Sequence, residues 1–319
     1  MKRRDFHLLA GGSLAFGLAA PAVRAQAKKS LAFVVNVSAD FWTIARRGIE
    51  KANREHPDFD MEMIIPSQAS AAEQRRILDE LLARKVAGVA ISAINPASQT
   101  DVLNRVAEQS VLFTTDSDAP ASKRMLYIGT DNVAAGRRAG EQMKQAMPEG
   151  GRAMLFVGTM DADNARERVQ GIRESLQGGN ITIADIRTDE SDFARARRNA
   201  EDALSRERDL KMMVGLWAYN TPQIYQAVRE AGRQGQVKIV GFDEDALTLR
   251  GVADGTIHST VVQQPYEFGY RSMKGLIRVV NGDRGWIPAN KQDIVETKVI
   301  DKVNVGEFQS YMRSLLRGS

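Results

Sequence analysis

The chain has 319 residues, with 44 Lys and Arg against 40 Asp and Glu and no cysteine. Missing thiols exclude disulfides, thiolate metal sites, a cysteine nucleophile and a lipid-anchored N-terminal cysteine. Residues 1–27 hold Lys2, Arg3, Arg4 and Arg24 against Asp5, so +3 of the formal +4 sits there, and the remaining +1 gives nucleic-acid binding little support.

The basic start MKRRDFHLL, a short Gly/Ala/Leu stretch to Ala20, and AVRAQA with small residues at cleavage spacing predict a secretory signal over 1–27. Its RRDF run resembles a twin-arginine export signal. The apolar part is far short of the ~20 residues that a membrane span needs, and no later stretch approaches that length. A soluble exported protein, retained in a Gram-negative periplasm, is the expectation. The rest, about 290 residues, exceeds one ordinary core, so two domains are expected.

From Ser30 a regular alternation begins. LAFVVN (31–36) reads as a strand, 40–56 as an amphipathic helix, MEMII (61–65) as a strand and 71–85 as a helix. VAGVAIS (86–92), a helix over 98–109, the strands VLFTT (111–115) and MLYIG (125–129), and a helix over 132–147 follow. The pattern restarts near Arg152. AMLFVG (153–158), a helix from Asn164, ITIADI (181–186), a helix from about Asp192, KMMVGL (211–216), a helix from Asn220 and VKIVGF (237–242) lead to HSTVVQ (258–263) and a last long helix over 266–281. Wholly apolar strands, each followed by a helix, mean parallel sheets covered on both faces. The fold class is α/β: two doubly wound parallel-sheet domains with close-set hinges.

The halves echo each other. ISAINPA (91–97) aligns with LWAYNTP (216–222), pairing Ser92 with Trp217 and Asn95 with Asn220. Each half then ends a strand in an acidic tip, FTTDSDA (113–119) and VGFDEDA (240–246). Ligands of open parallel sheets sit outside the carboxyl ends of the strands, which is where both tips lie.

Three chemistries could use such tips. Oxygen-ligand metal binding is weak, because neither tip has the D-x-D-x-D-G spacing of a calcium loop, and His56 and His258 stand alone. D-S-D after a strand, Asp116 with Asp118, resembles the nucleophile motif of haloacid-dehalogenase-type phosphatases. However, Ala119-Pro120 follows it and no later strand ends in the matching acidic pair. There is also no G-x-S-x-G elbow and no P-loop. Non-covalent binding of a polyhydroxyl ligand is the strongest reading. Ionised Asp accepts from hydroxyls, amides give and accept, Arg donates, and flat rings cover the C–H faces of a sugar. The loops facing the expected cleft supply Phe41, Trp42, Asp116, Arg166, Trp217, Asn220, Asp243 and Gln263.

YIGTDNVAAGRRAGE (127–141), NARERVQGI (164–172), KIVGFDEDA (238–246), VVQQP (261–265) and ETKVIDKVNVGEF (296–308) stand in an order that resembles the periplasmic sugar-binding proteins of the ribose/galactose type, which feed ABC importers. The resemblance implies the type I periplasmic binding protein fold, two lobes crossed three times by the chain, here 30–131 with 264–292 and 132–263 with 293–319. It implies hinge closure on a monosaccharide or similar polyol, no catalysis, no cofactor and no metal, a monomer, and a membrane permease as partner. A chemoreceptor or quorum-signal role on the same fold stays open. It assigns ligand contacts to Phe41, Trp42, Asp116, Arg166 (the first Arg of A-R-E-R), Asp243 and Gln263. Ser92, Ser117 and Trp217 depart from the ribose pattern, so ribose is not expected as ligand, and Asn220 is a candidate to supply the missing amide. Each residue also has a plainer use. Asp116, Asp243 and Asn220 could cap helices, Arg166 could pair with Asp163 or Glu167 on an exposed face, and one of Phe41 and Trp42 should face the core.

Overall fold

The computed structural model describes residues 28–317, so the expected export signal lies outside the described residues. The first half runs β1 (Lys29–Val34), α1 (Phe41–Glu55), β2 (Phe59–Ile64), α2 (Ala71–Ala83), β3 (Gly88–Ile91), α3 (Pro96–Gln109), β4 (Val111–Thr115) and β5 (Leu126–Gly129). After α4 (Asn132–Ala146) come β6 (Gly151–Val157), α5 (Asp163–Leu176), β7 (Ile181–Thr188), α6 (Phe193–Arg206), β8 (Leu210–Gly215), α7 (Asn220–Glu230), β9 (Lys238–Phe242), α8 (Ala246–Asp254) and β10 (Ser259–Val262). The chain closes with α9 (Pro265–Val280), β11 (Gln292–Ile294), β12 (Lys298–Asp301) and α10 (Val305–Arg317).

Two six-stranded sheets result, ordered β11-β5-β4-β3-β1-β2 and β12-β10-β9-β8-β6-β7. All pairings are parallel except β10 with β12. The strands β1, β3, β4, β8 and β9 bury almost every residue, as sheets with helices on both faces require. The chain passes between the sheets after β5, after β10 and after β11.

Three features depart from the sequence reading. β11 pairs with β5, Ile294 opposite Gly129, so the last passage falls between Ile294 and Lys298 rather than at 292/293. Its three residues, Gln-Asp-Ile, are too short and too polar to read as a strand. α8 and the long C-terminal helix α10 have no counterpart among the elements read from the sequence.

Packing of α4 on α5 fixes the second lobe where it matters for the cleft. A Cβ on Gly171 would lie 2.0 Å from the Val133 carbonyl oxygen, and one on Gly136 would lie 2.2 Å from that of Arg168. These two glycines let the helices touch backbone to backbone, so the position of α5 relative to the β5–α4 passage has little slack.

Candidate functional site

The carboxyl ends of β1 and β4 in the first lobe face those of β6, β8, β9 and β10 in the second. Between them Asn36, Phe41, Trp42 and Asp116 meet Asn164, Arg168, Trp217, Tyr219, Asp243 and Gln263 around one pocket. Its cavity volume is about 30 Å³, far below the ~300–1,000 Å³ of small-molecule sites. The walls of the two lobes therefore touch, and admitting a ligand requires them to part.

Both acidic tips use the same backbone device. Asp116 has φ +59° and Asp243 has φ +67°, the left-handed region that Asp and Asn enter more readily than most side chains. The turn aims each carboxylate across the cleft instead of along the strand. Each is pinned through its carbonyl: Tyr127 Oη donates to that of Asp116 at 3.0 Å, and Thr260 Oγ1 to that of Asp243 at 2.8 Å. Neither caps a helix. Asp131 caps α4 and Asp245 caps α8.

The carboxylates are bonded by the groups around them. Ser92 Oγ donates to Asp116 Oδ2 at 2.7 Å, with the amides of Asn36 and Asn164 at 3.5 and 3.4 Å. Gln263 Nε2 donates to Asp243 Oδ1 at 3.0 Å, while Gln263 Oε1 is buried without a partner. Between the two tips lies Arg168, 1% exposed, over the Phe242 ring at 4.4 Å. Its Nε donates to Asn132 Oδ1 and its Nη1 to the Leu216 carbonyl, leaving Nη2 free of partners. Burial pushes the Asp116 carboxyl up to about 6 and raises Asp243, and the Arg168 charge holds both back.

Aromatic walls complete the pocket. Trp42 and Phe41 pack edge-on at 4.9 Å and both border it, so the expected division of one inward and one outward ring does not hold. Trp217 donates to Asn164 Oδ1 at 3.3 Å and occupies room left by Gly158, where a Cβ would fall 2.0 Å from its ring.

The signature of the periplasmic binding protein domain family matches residues 31–284. The chain belongs to that family. A solute-binding protein of an ABC transporter from Burkholderia graminis, solved with D-arabinose, is 28% identical over 88% of this chain and 97% of its own, with a TM-score of 0.82. GanP, a glucose-galactose binding protein from Geobacillus stearothermophilus, is 29% identical over 88% and 99%, TM-score 0.82. AraP, an arabinose binding protein from the same organism, is 26% identical over 88% and 99%, TM-score 0.70.

In this family member six of the ten expected residues border the pocket: Phe41, Trp42, Asp116, Trp217, Asp243 and Gln263. Ser92 stands behind Asp116 as its donor. Ser117 is buried below the tip, its carbonyl accepting from the Ala93 amide. Asn220 neither faces the pocket nor caps a helix. Its Oδ1 accepts from the Trp217 amide and its Nδ2 donates to Asp189, which also accepts from Tyr219 Oη. It thus holds the 217–219 wall in place.

Arg166 is the clear correction. Its side chain is 46% exposed, pairs with Asp163 at 2.6 Å and donates to the Met160 and Asp161 carbonyls. Two residues along a helix is about 200° of rotation, so only Arg168, one turn beyond Asn164, shares the cleft face. Asn36, Asn164 and Arg168 were missed; the i, i+4 spacing of the last two was the available signal. The pairing of Asp116 with Asp118 does not form either. Asp118 is held by Arg124 at 2.5 and 2.6 Å and by Thr114 at 2.5 Å, buried away from the pocket.

Burial raises Asp116 and Asp189 to about 6 and Glu167 to about 7. Folded values above the unfolded ones mean that the folded state holds protons longer. Their contribution to stability is full below about pH 4 and is lost as pH rises through 6 to 7. The unliganded protein is therefore expected to melt at a higher temperature at pH 5 than at pH 7.5 in calorimetry. A melting temperature that climbs across this interval contradicts the assignment.

Proposed function

We propose that this protein is an exported receptor that closes two lobes on a monosaccharide or similar polyol unit and hands it to the permease of an ABC importer. One observation carries the reading: two buried carboxylates, one from each lobe, face a single pocket across one arginine, among amides and flat aromatic rings. That set matches a ring with hydroxyls on its edge and C–H groups on its faces. The sugars named for the related D-arabinose and glucose-galactose binding proteins have this chemistry. The set contains no activated nucleophile, and we assign no catalytic step.

Closure has a physical basis. The three passages between lobes, at 129–132, 262–265 and 294–298, lie beside the edge strands β11 and β12 and their neighbours β5 and β10. Bending there separates Asp116 from Asn164 and Asn95 from Asp161, pairs that now bond across the cleft at 3.4 and 3.0 Å. Ligand hydroxyls that bond to both lobes take the place of these bonds, so a bound ligand favours the closed arrangement over the open one.

The test is thermal unfolding of residues 28–319 against aldoses, ketoses, polyols and sugar phosphates. A ligand at a hundredfold over its dissociation constant adds ~2.7 kcal/mol, a rise of roughly 5 °C or more for this size. A response to one or a few neutral sugars supports the receptor. No response to any sugar, together with turnover of a sugar phosphate, overturns it.

A further inference from the structure

Beside the pocket the lobes leave a groove of about 800 Å³, within the ~300–1,000 Å³ of small-molecule sites. The groove is continuous with the pocket, since Ala39, Phe41, Ala218, Tyr219 and Asp243 border both. Among polar groups such as Asp40, Thr43, Gln309 and Arg313, its walls carry large apolar side chains. Ile65 of the first lobe, Phe193 of the second and Leu316 of α10 line it at 41, 40 and 39% exposure. They are half of the six large apolar side chains left exposed among the described residues. Such side chains gathered in one concavity mark a binding surface, where a plain entry channel would need only wettable walls.

Two further observations point to an occupant. Phe193 stacks on Tyr219 at 4.4 Å and 15°, so one aromatic surface runs from the pocket wall out along the groove. Glu244, next to Asp243 in the groove wall, is 7% exposed, and neither carboxylate oxygen has a partner. A buried carboxyl without partners is costly, and burial beside Asp243 raises it well above the usual range. In its protonated form it has a hydrogen bond to give, and it lines the groove though not the pocket.

We infer that the ligand is larger than one sugar ring: a glycoside whose sugar unit lies between Asp116 and Asp243 and whose aryl or alkyl group lies in the groove. This rests on the receptor reading above. Phe41, Phe193 and Leu316 then cover the apolar group.

Calorimetric titration of residues 28–319 with arabinose, xylose, glucose and galactose, and with their α- and β-phenyl glycosides, tests it. At least one phenyl glycoside is expected to bind tenfold or more tighter than its parent sugar. The double variant Ile65→Ala/Leu316→Ala, changed only at exposed groove positions, should lose most of that advantage and leave the parent sugar within about twofold. Parent sugars binding as tightly as every phenyl glycoside, or tighter, overturns the inference and leaves the receptor standing. An advantage that survives the double variant also overturns it. Binding of neither class removes both the receptor reading and the inference.

Discussion

Replacing Arg168 with methionine is expected to cost 3–5 kcal/mol, the order found when one partner of a buried charge set is removed, and to lower the melting temperature by roughly 10 °C. Methionine roughly retains the volume over Phe242 but not the charge. The cost arises because Asp116 and Asp243 are both buried and both leaned toward ionisation by this one guanidinium. Without it they become two uncompensated carboxylates a short way apart, and protonation is their relief. The stability gap between variant and parent should therefore narrow from pH 7.5 to pH 4.5. Arg166→Met, two residues earlier, should stay within about 0.5 kcal/mol, because exposed ion pairs contribute little. Circular dichroism melts of both variants at two pH values decide this, and equal costs for the two arginines would rule it out.

The second large effect concerns the tips themselves. Asp116→Asn and Asp243→Asn are each expected to weaken sugar binding by about 1.5–3 kcal/mol, roughly ten- to a hundredfold. Asparagine tolerates the left-handed backbone, so it removes the charge without adding strain, whereas alanine confounds the two. An ionised carboxylate accepts two or more hydroxyl protons; an amide there accepts with one end and presents a donor with the other. Titration of the sugar found in the melting panel is the readout. Unchanged affinity in both variants would mean that the tips face the cleft without touching the ligand.

Much of the scaffold could be read from apolar runs, because a strand covered on both faces can carry little else. The two tips were legible for a related reason: an acidic pair directly after such a run can only lie at the carboxyl edge of a sheet. Direction was not legible. That Asp116 and Asp243 bend into the cleft while Asp118 and Asp245 turn back to Arg124 and the α8 amides depends on φ at single residues. Arg166 is the first Arg of the A-R-E-R motif, but the buried positions Ala165, Val169 and Ile172 of α5 put 168, not 166, beside the inward stripe. Asn36 lies just past β1, where no periodicity is left to say which way a side chain points. β11 was invisible because an edge strand of three residues buries too little to shape its sequence.

The positive φ at both tips also bears on how this cleft could acquire a new ligand. A codon change there must yield Asp, Asn or Gly, or pay for a backbone that branched and bulky side chains resist. Drift and laboratory selection are thereby steered elsewhere. Asn36, Phe41, Asn164 and Gln263 are absent from the positive-φ set and can be exchanged without that penalty. Variation in ligand preference should accumulate at these four positions while the two acids persist, and a library that randomises only them should recover more folded, altered-preference clones than one that includes 116 and 243.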